Sequence, residues 1–199
     1  MTATARRTRL TSEREAELYQ AVIELVREVG YEAMTMDAVA ARSHSSKATL
    51  YRQWQGKPQL VAAAMRHTAF VTLDTDTGSL RGDLHEVARQ VGSGAEKETV
   101  FLSAIGHAAH QHEDLAAALR EMLIDPEREV LNALLQRAVD RGEVRPDAAA
   151  REFFVHMLFG ALPARKILEE RFADPEYLIR YIDAVVLPAL LHSLSLIHI

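Results

Sequence analysis

Thr35-Met-Asp-Ala-Val-Ala-Ala-Arg-Ser-His-Ser-Ser-Lys-Ala-Thr-Leu-Tyr-Arg-Gln-Trp54 reads as two short helices separated by a polar turn. In the first, Met36, Val39 and Ala40 recur at helical spacing, and Thr35 stands where its hydroxyl can cap the first turn. Arg42-Ser-His-Ser45 breaks that pattern with four residues that have little reason to be buried. Ser46 is placed to cap a second helix whose Leu50 points inward, while Lys47, Ala48, Thr49 and Tyr51 stay open to a partner. Two helices joined in this way form the unit that lays its second helix in the DNA major groove. A helix from Ser46 to Arg52 is roughly 10 Å long at ~1.5 Å per residue, which suits a groove about 12 Å wide.

Outward from this motif, every segment is helical in pattern. Upstream, Ser12 and Glu15 have capping-box spacing, and Leu18, Val22, Leu25 and Val29 follow as an inward stripe. Gly30 stands where a helix ends on a left-handed residue. Residues 1–11 form a basic arm carrying Arg6, Arg7 and Arg9, with no apolar run behind them to make a signal peptide. Downstream, Gln55-Gly-Lys-Pro58 breaks the chain, and Pro58 suits the first turn of a fourth helix through Leu60, Val61, Ala64 and Met65. The DNA-binding unit is therefore expected over 12–72, with its helix-turn-helix at 35–54. A larger helical body is expected over 73–193.

Within that body the pattern predicts helices at 81–92, 97–111, 113–141, 147–170 and 175–192, the third interrupted by Asp125-Pro126. The last two are apolar on more than one side, through Phe153, Phe154, Met157, Leu158 and Phe159 in one and Tyr181, Ile182, Val185, Val186 and Leu190 in the other. So wide an apolar surface must be covered on both sides, either deep in the monomer or between subunits, and a homodimer packed through these two helices is expected. The final residues Leu194-Ser-Leu-Ile-His-Ile199 are similar to the translated adapter of a sequencing library, and 194–199 are expected to be a non-native tail.

The fold class expected is all-α. Charge divides along the same boundary. Residues 1–66 hold ten Lys/Arg against seven Asp/Glu, a balance of +3, whereas 67–199 hold thirteen against twenty-one, a balance of −8. The positive part is the one with the helix-turn-helix, as phosphate attraction requires. With no cysteine, disulfides and thiolate metal sites are excluded. No run of eighteen apolar residues is present, so no membrane-spanning helix is expected and a soluble cytoplasmic protein is the plain reading. No Gly-rich phosphate loop or nucleophile motif appears, so neither an enzyme nor a cofactor is expected.

The run Gly30-Tyr31, Thr35-Met36, Val39-Ala40, Ser46-Lys47, Leu50-Tyr51 and Trp54, followed by Lys57 and Leu60, resembles the TetR family of bacterial transcriptional regulators. The resemblance implies a three-helix DNA-binding domain and a larger helical domain for dimerisation and ligand binding. It also implies a repressor that binds a palindromic operator as a dimer and is released by a small molecule. An activator, or a DNA-binding protein indifferent to effectors, is the alternative. At the DNA, Thr35 and the amides that follow it would meet a phosphate. Ser46, Ala48 and Thr49 would face base edges, Lys47 would reach a base edge or a phosphate, and Tyr51 and Arg42 would touch the backbone. Lys57 resembles the family's phosphate clamp. The family's turn usually has glycine and an apolar residue where this chain has His44 and Ser45, and the turn wants positive φ.

An effector cavity is the least legible part. Phe101, His107, Met122, Phe154, Met157 and Leu158 are candidates because Met and Phe surround varied apolar molecules well, though core packing explains each equally. His107, His110 and His112 with Glu113 invite a metal reading, but solvated or capping histidines fit their spacing better, and no metal is expected.

Overall fold

The computed structural model describes residues 11–68 and 75–192, with backbone alone for 95–98. Most of the basic arm and the suspected tail at 194–199 lie outside the described residues. All regular structure among the described residues is helical. The chain forms two compact units, one made of residues up to Thr68 together with Ala108–Leu123, the other of Ala69–His107 and Ile124 onward.

The first unit is built on α1 (Ser12–Ala33), α2 (Met36–Arg42), α3 (Lys47–Trp54) and α4 (Lys57–Thr68). Thr11 Oγ1 caps α1 by accepting from the Arg14 amide, one residue ahead of the expected capping Ser12. The stripe Leu18, Val22 and Leu25 is buried together with Ala21, Ile23 and Val26, because α1 is flanked by both α2 and α4. Val29, expected in that stripe, is 49% exposed. The reason is Gly30, whose φ of 80° and ψ of 164° break the helix just beyond it. Such a conformation is open to glycine alone. A further turn, residues 31–33, then redirects the chain into α2.

The contiguous segment 12–72 is not the whole of this unit. The end of α6 (Ala95–Gln111) and α7 (Glu113–Leu119) belong to it as well. Leu115, Ala118 and Leu119 of α7 are buried, and α7 packs on α4, whose Leu60, Val61 and Ala64 are closed to solvent. Nothing in the sequence of α7 announces this partner, since its small alanine-rich face would suit any neighbour.

The second unit is a helical bundle of α5 (Leu80–Ser93), the earlier part of α6, α8 (Asp125–Asp140), α9 (Phe154–Glu169), α10 (Pro175–Tyr181) and α11 (Leu187–Leu191). Its core joins Leu80, Leu84, Leu131, Leu134, Phe154, Leu178, Val186 and Leu190. α5 and α10 approach closely because Gly92 has no side chain, and a Cβ there would lie 2.5 Å from the Pro175 nitrogen.

Two of the expected helices are interrupted in the same manner. The stretch over 113–141, expected to be interrupted at Asp125-Pro126, contains a π turn at Arg120–Ile124 just before that pair, and that expected over 175–192 contains one at Ile182–Val186. Each ends two residues ahead of a proline, Pro126 or Pro188. A proline lacks the amide of the ordinary helical bond and its ring crowds the carbonyl four residues back, so the chain widens by one residue per turn. The start of the helix expected over 147–170 is a 3-10 turn at Ala149–Phe153.

Asp183, in the second π turn, anchors α5 by accepting from Arg81 Nε at 3.0 Å and pairing with His85 Nε2 at 2.9 Å. The Arg81 bond, with a smaller contribution from His85, holds its carboxyl below the ordinary 3.8. The stability this confers is therefore complete above the unfolded value and is lost as pH falls through the lower folded one. In Asp183→Asn the acid limb of a stability–pH curve should be flatter than in the parent, as read from urea midpoints. An unchanged acid limb would show that the anchor contributes nothing.

Candidate nucleic-acid interface

The helix-turn-helix is assembled by local hydrogen bonds that its sequence supplies. Thr35 Oγ1 accepts from the Ala38 amide at 3.1 Å, and Ser46 Oγ from the Thr49 amide at 3.1 Å, so each hydroxyl caps its helix. Between them, the Ser45 amide donates to Ala40 O at 2.9 Å and the His44 amide to Ala41 O at 3.4 Å. These two bonds close α2 with the ending that demands a left-handed residue. His44 occupies that position with φ of 49°. A residue with a Cβ holds such a conformation at a cost of about 1–2 kcal/mol.

α3 is fixed from behind. Leu50 is fully buried, and Trp54 packs edge-on against Tyr19 of α1 with ring centroids 5.7 Å apart. Trp54 Nε1 donates to the Tyr19 hydroxyl at 3.2 Å, which in turn donates to Glu15 at 3.1 Å. Gln53 reaches the same Glu15 oxygen at 2.8 Å. These bonds pin α3 to α1 and leave its outer face at Lys47, Ala48 and Tyr51 exposed, with Thr49 partly covered by its bond to Ser46.

The cations of this surface are not equivalent. Arg42 is bound to Glu28 by two bonds of 2.7 Å, and this pairing holds the Glu28 carboxyl below and the Arg42 guanidinium above their ordinary values. Lys47 Nζ lies 2.5 Å from Asp37 on α2. Arg52, in the last turn of α3, makes no ion pair among the described residues. Neither carboxylate stands out in the sequence. Asp37 is ten residues from Lys47 and Glu28 fourteen from Arg42, and only the turn geometry brings them together.

Lys57, whose place resembles the family's phosphate clamp, turns its ammonium onto the end of α1 in the DNA-free chain. Its ammonium donates to the carbonyls of Tyr31 at 2.7 Å, Glu32 at 3.2 Å and Met34 at 3.0 Å. It also sits 4.1 Å above the Tyr31 ring. The kink at Gly30 strips these carbonyls of helical partners, and a single ammonium with three donors answers all of them. Burial lowers the pKa of Lys57, against the pull of Glu32 and Asp114. Burial also pushes the Tyr31 hydroxyl up to about 12. His112, just before α7, pairs with Glu32, and its ring lies 5.5 Å from that of Tyr31.

The effector candidates are distributed over both units. Phe101 and Phe154 are buried, Met157 and Leu158 are half-buried, and the His107 residue is exposed; all five belong to the second unit. Met122, from the first π turn, lines an open cleft of about 490 Å³ in the first unit with Glu15, Tyr19, Ala63, Arg66 and His67. No group of three metal-ligating side chains occurs among the described residues.

Residues 18–64 match the family model of bacterial regulatory proteins of the tetR family, and residues 74–185 match that of the tetracyclin repressor-like C-terminal domain. This chain belongs to the TetR family. An HTH-type transcriptional regulator of Mycobacterium bovis is 34% identical over 187 residues, covering 92% of this chain and 90% of the relative. A DNA-binding transcriptional repressor of Mycobacteroides abscessus is 32% identical over 178 residues, covering 87% and 92%. The crystal structure of a TetR family transcription regulator superposes with a TM-score of 0.72 at 28% identity, over 90% of this chain and 99% of that one. A TetR-family regulator from Rhodococcus shares the fold at a TM-score of 0.71, over 88% and 99%, with 20% identity. The protein is thus a helix-turn-helix transcription regulator and not an enzyme. TetR proteins are typically repressors that bind DNA as dimers and respond to small molecules. No helix among the described residues is long and apolar enough to cross a membrane.

Proposed function

We propose that this TetR regulator is a repressor that binds a near-palindromic operator as a homodimer and is released by a small-molecule effector. The observation that carries the DNA reading is the outer face of Lys47 to Tyr51, presented on a helix locked from behind by Leu50 and Trp54. Ser46, Lys47, Ala48 and Thr49 face the base edges, and Tyr51 and the amide end of α2 at Thr35 face phosphates. Arg52, without a carboxylate partner among the described residues, supplies a backbone contact.

Dimerisation is supported by apolar faces left open on one chain. On α9, Phe159 and Ile167 are 50% and 78% exposed on one side, at a spacing of two turns with the exposed Pro163 between them. After Pro175, Val185 and Leu191 are likewise exposed on either side of Pro188. A patch of this kind is unusual on a monomer, and two helices meeting their twofold copies would cover it. The effector would shift the dimer toward a form whose two recognition helices no longer match the spacing of the half-sites. Its cavity is proposed within the second unit, among Phe101, His107, Met157 and Leu158, since Phe154 is closed in the core of that unit and Met122 belongs to the first unit.

Selection of bound duplexes from a random pool tests the reading as a whole. It should return two inverted half-sites about 34–36 Å apart, one helical turn. Light scattering should give twice the chain mass. A monomer that enriches no sequence would overturn the proposal.

A further inference from the structure

Lys47 stands at the start of the recognition helix, where the operator reading above places a base contact, yet in the free protein it is not a free charge. Its ammonium is 2.5 Å from the Asp37 carboxylate, with both side chains more than half exposed. Asp37 sits in the first turn of α2, on the same outer surface, and is itself a poor neighbour for a phosphate. We infer that Asp37 is a specificity-determining positioning residue, holding Lys47 over the groove for base reading and withholding it from phosphates of arbitrary sequence.

This role for Asp37 rests on the DNA binding proposed above for the same face and decides how that face discriminates. Non-specific affinity comes from cations that displace counterions, one for each phosphate neutralised. A lysine paired with a carboxylate is locally neutral and adds little to that count. Its compact head keeps further donors free after one bond to Asp37, enough for the two acceptors, O6 and N7, of a guanine edge. The pair therefore persists in a complex that offers those acceptors, and is a hindrance where only a phosphate is offered. Arg42 is similarly neutralised by Glu28 through two bonds of 2.7 Å, which leaves Arg52 as the motif's cation without a carboxylate among the described residues. This surface is thus poor in free positive charge for a DNA-binding face, and its selectivity must come from base contacts.

The test measures binding of the full chain to a random-sequence duplex and to the duplex recovered by selection, over a range of salt, by fluorescence anisotropy. Asp37→Asn should bind random DNA several-fold more tightly, with a salt slope steeper by about 0.9 for the one cation released. It should gain less on the selected duplex, so the ratio of the two affinities falls. Asp37→Glu keeps the carboxylate and should restore the parent ratio, which a merely structural role for Asp37 would not explain. In Asp37→Asn with Lys47→Ala the gain should disappear. The inference is overturned if Asp37→Asn leaves slope and ratio unchanged, or if its gain survives removal of Lys47, since the carboxylate would then act by simple repulsion. A parent protein that binds neither duplex would instead sink the DNA-binding reading itself.

Discussion

Lys57→Met should lower the stability of the DNA-binding unit by about 2–3 kcal/mol, the scale of one or two hydrogen bonds made by a charged group. The substitution leaves the carbonyls of Tyr31, Glu32 and Met34 without their common donor and removes the cation from above the Tyr31 ring. Trp54 is the single tryptophan and lies in this unit, so its fluorescence during urea unfolding reads the loss directly. Lys57→Arg separates this role from a phosphate contact. A guanidinium keeps the charge, but its planar fork cannot converge on three carbonyls as an ammonium does. Arginine should therefore recover only part of the stability. If Lys57 instead clamped a phosphate, the Met variant would fold normally, lose about one unit of salt slope, and be restored by arginine. That pattern would overturn the role assigned here.

Phe154→Ala should cost about 3–5 kcal/mol, the range for truncating a large aromatic residue in a closed core. Phe154 is fully buried among Leu80, Leu84, Leu131, Leu134 and Leu190, where every lost contact opens a void. The second unit holds no tryptophan, so the measurement is helical circular dichroism in urea. Phe154→Leu, which refills much of the space, should be markedly milder. A loss below about 1 kcal/mol for the alanine variant would mean that the ring borders open space, as a wall of the effector cavity would. Structural filling and ligand lining are distinguished by this one number.

Both cases show where sequence reasoning stopped. The caps at Thr35 and Ser46, the break at Gly30, the inward Leu50 and the exposed Lys47 to Tyr51 face were legible because each depends on neighbours within four residues. The positive φ at His44 was legible only through the resemblance, because the family's turn carries glycine there. The partners of the charges were not. Lys47 with Asp37, Arg42 with Glu28 and Lys57 with the end of α1 are meetings between helices, and their distances depend on how those helices cross. The packing of α7 on α4 was not legible either, since chain order says nothing of which helix an alanine-rich face will cover.

Local spacing by itself determined the all-helical class, the caps of the helix-turn-helix and the inward Leu50. It could do so because capping, periodicity and the demands of glycine and proline act over one or two turns of backbone. The tertiary structure decided which cations are free, which carbonyls need a donor and which aromatic rings are sealed in. Those properties are sums over atoms far apart in sequence, and they take values only once the helices are packed.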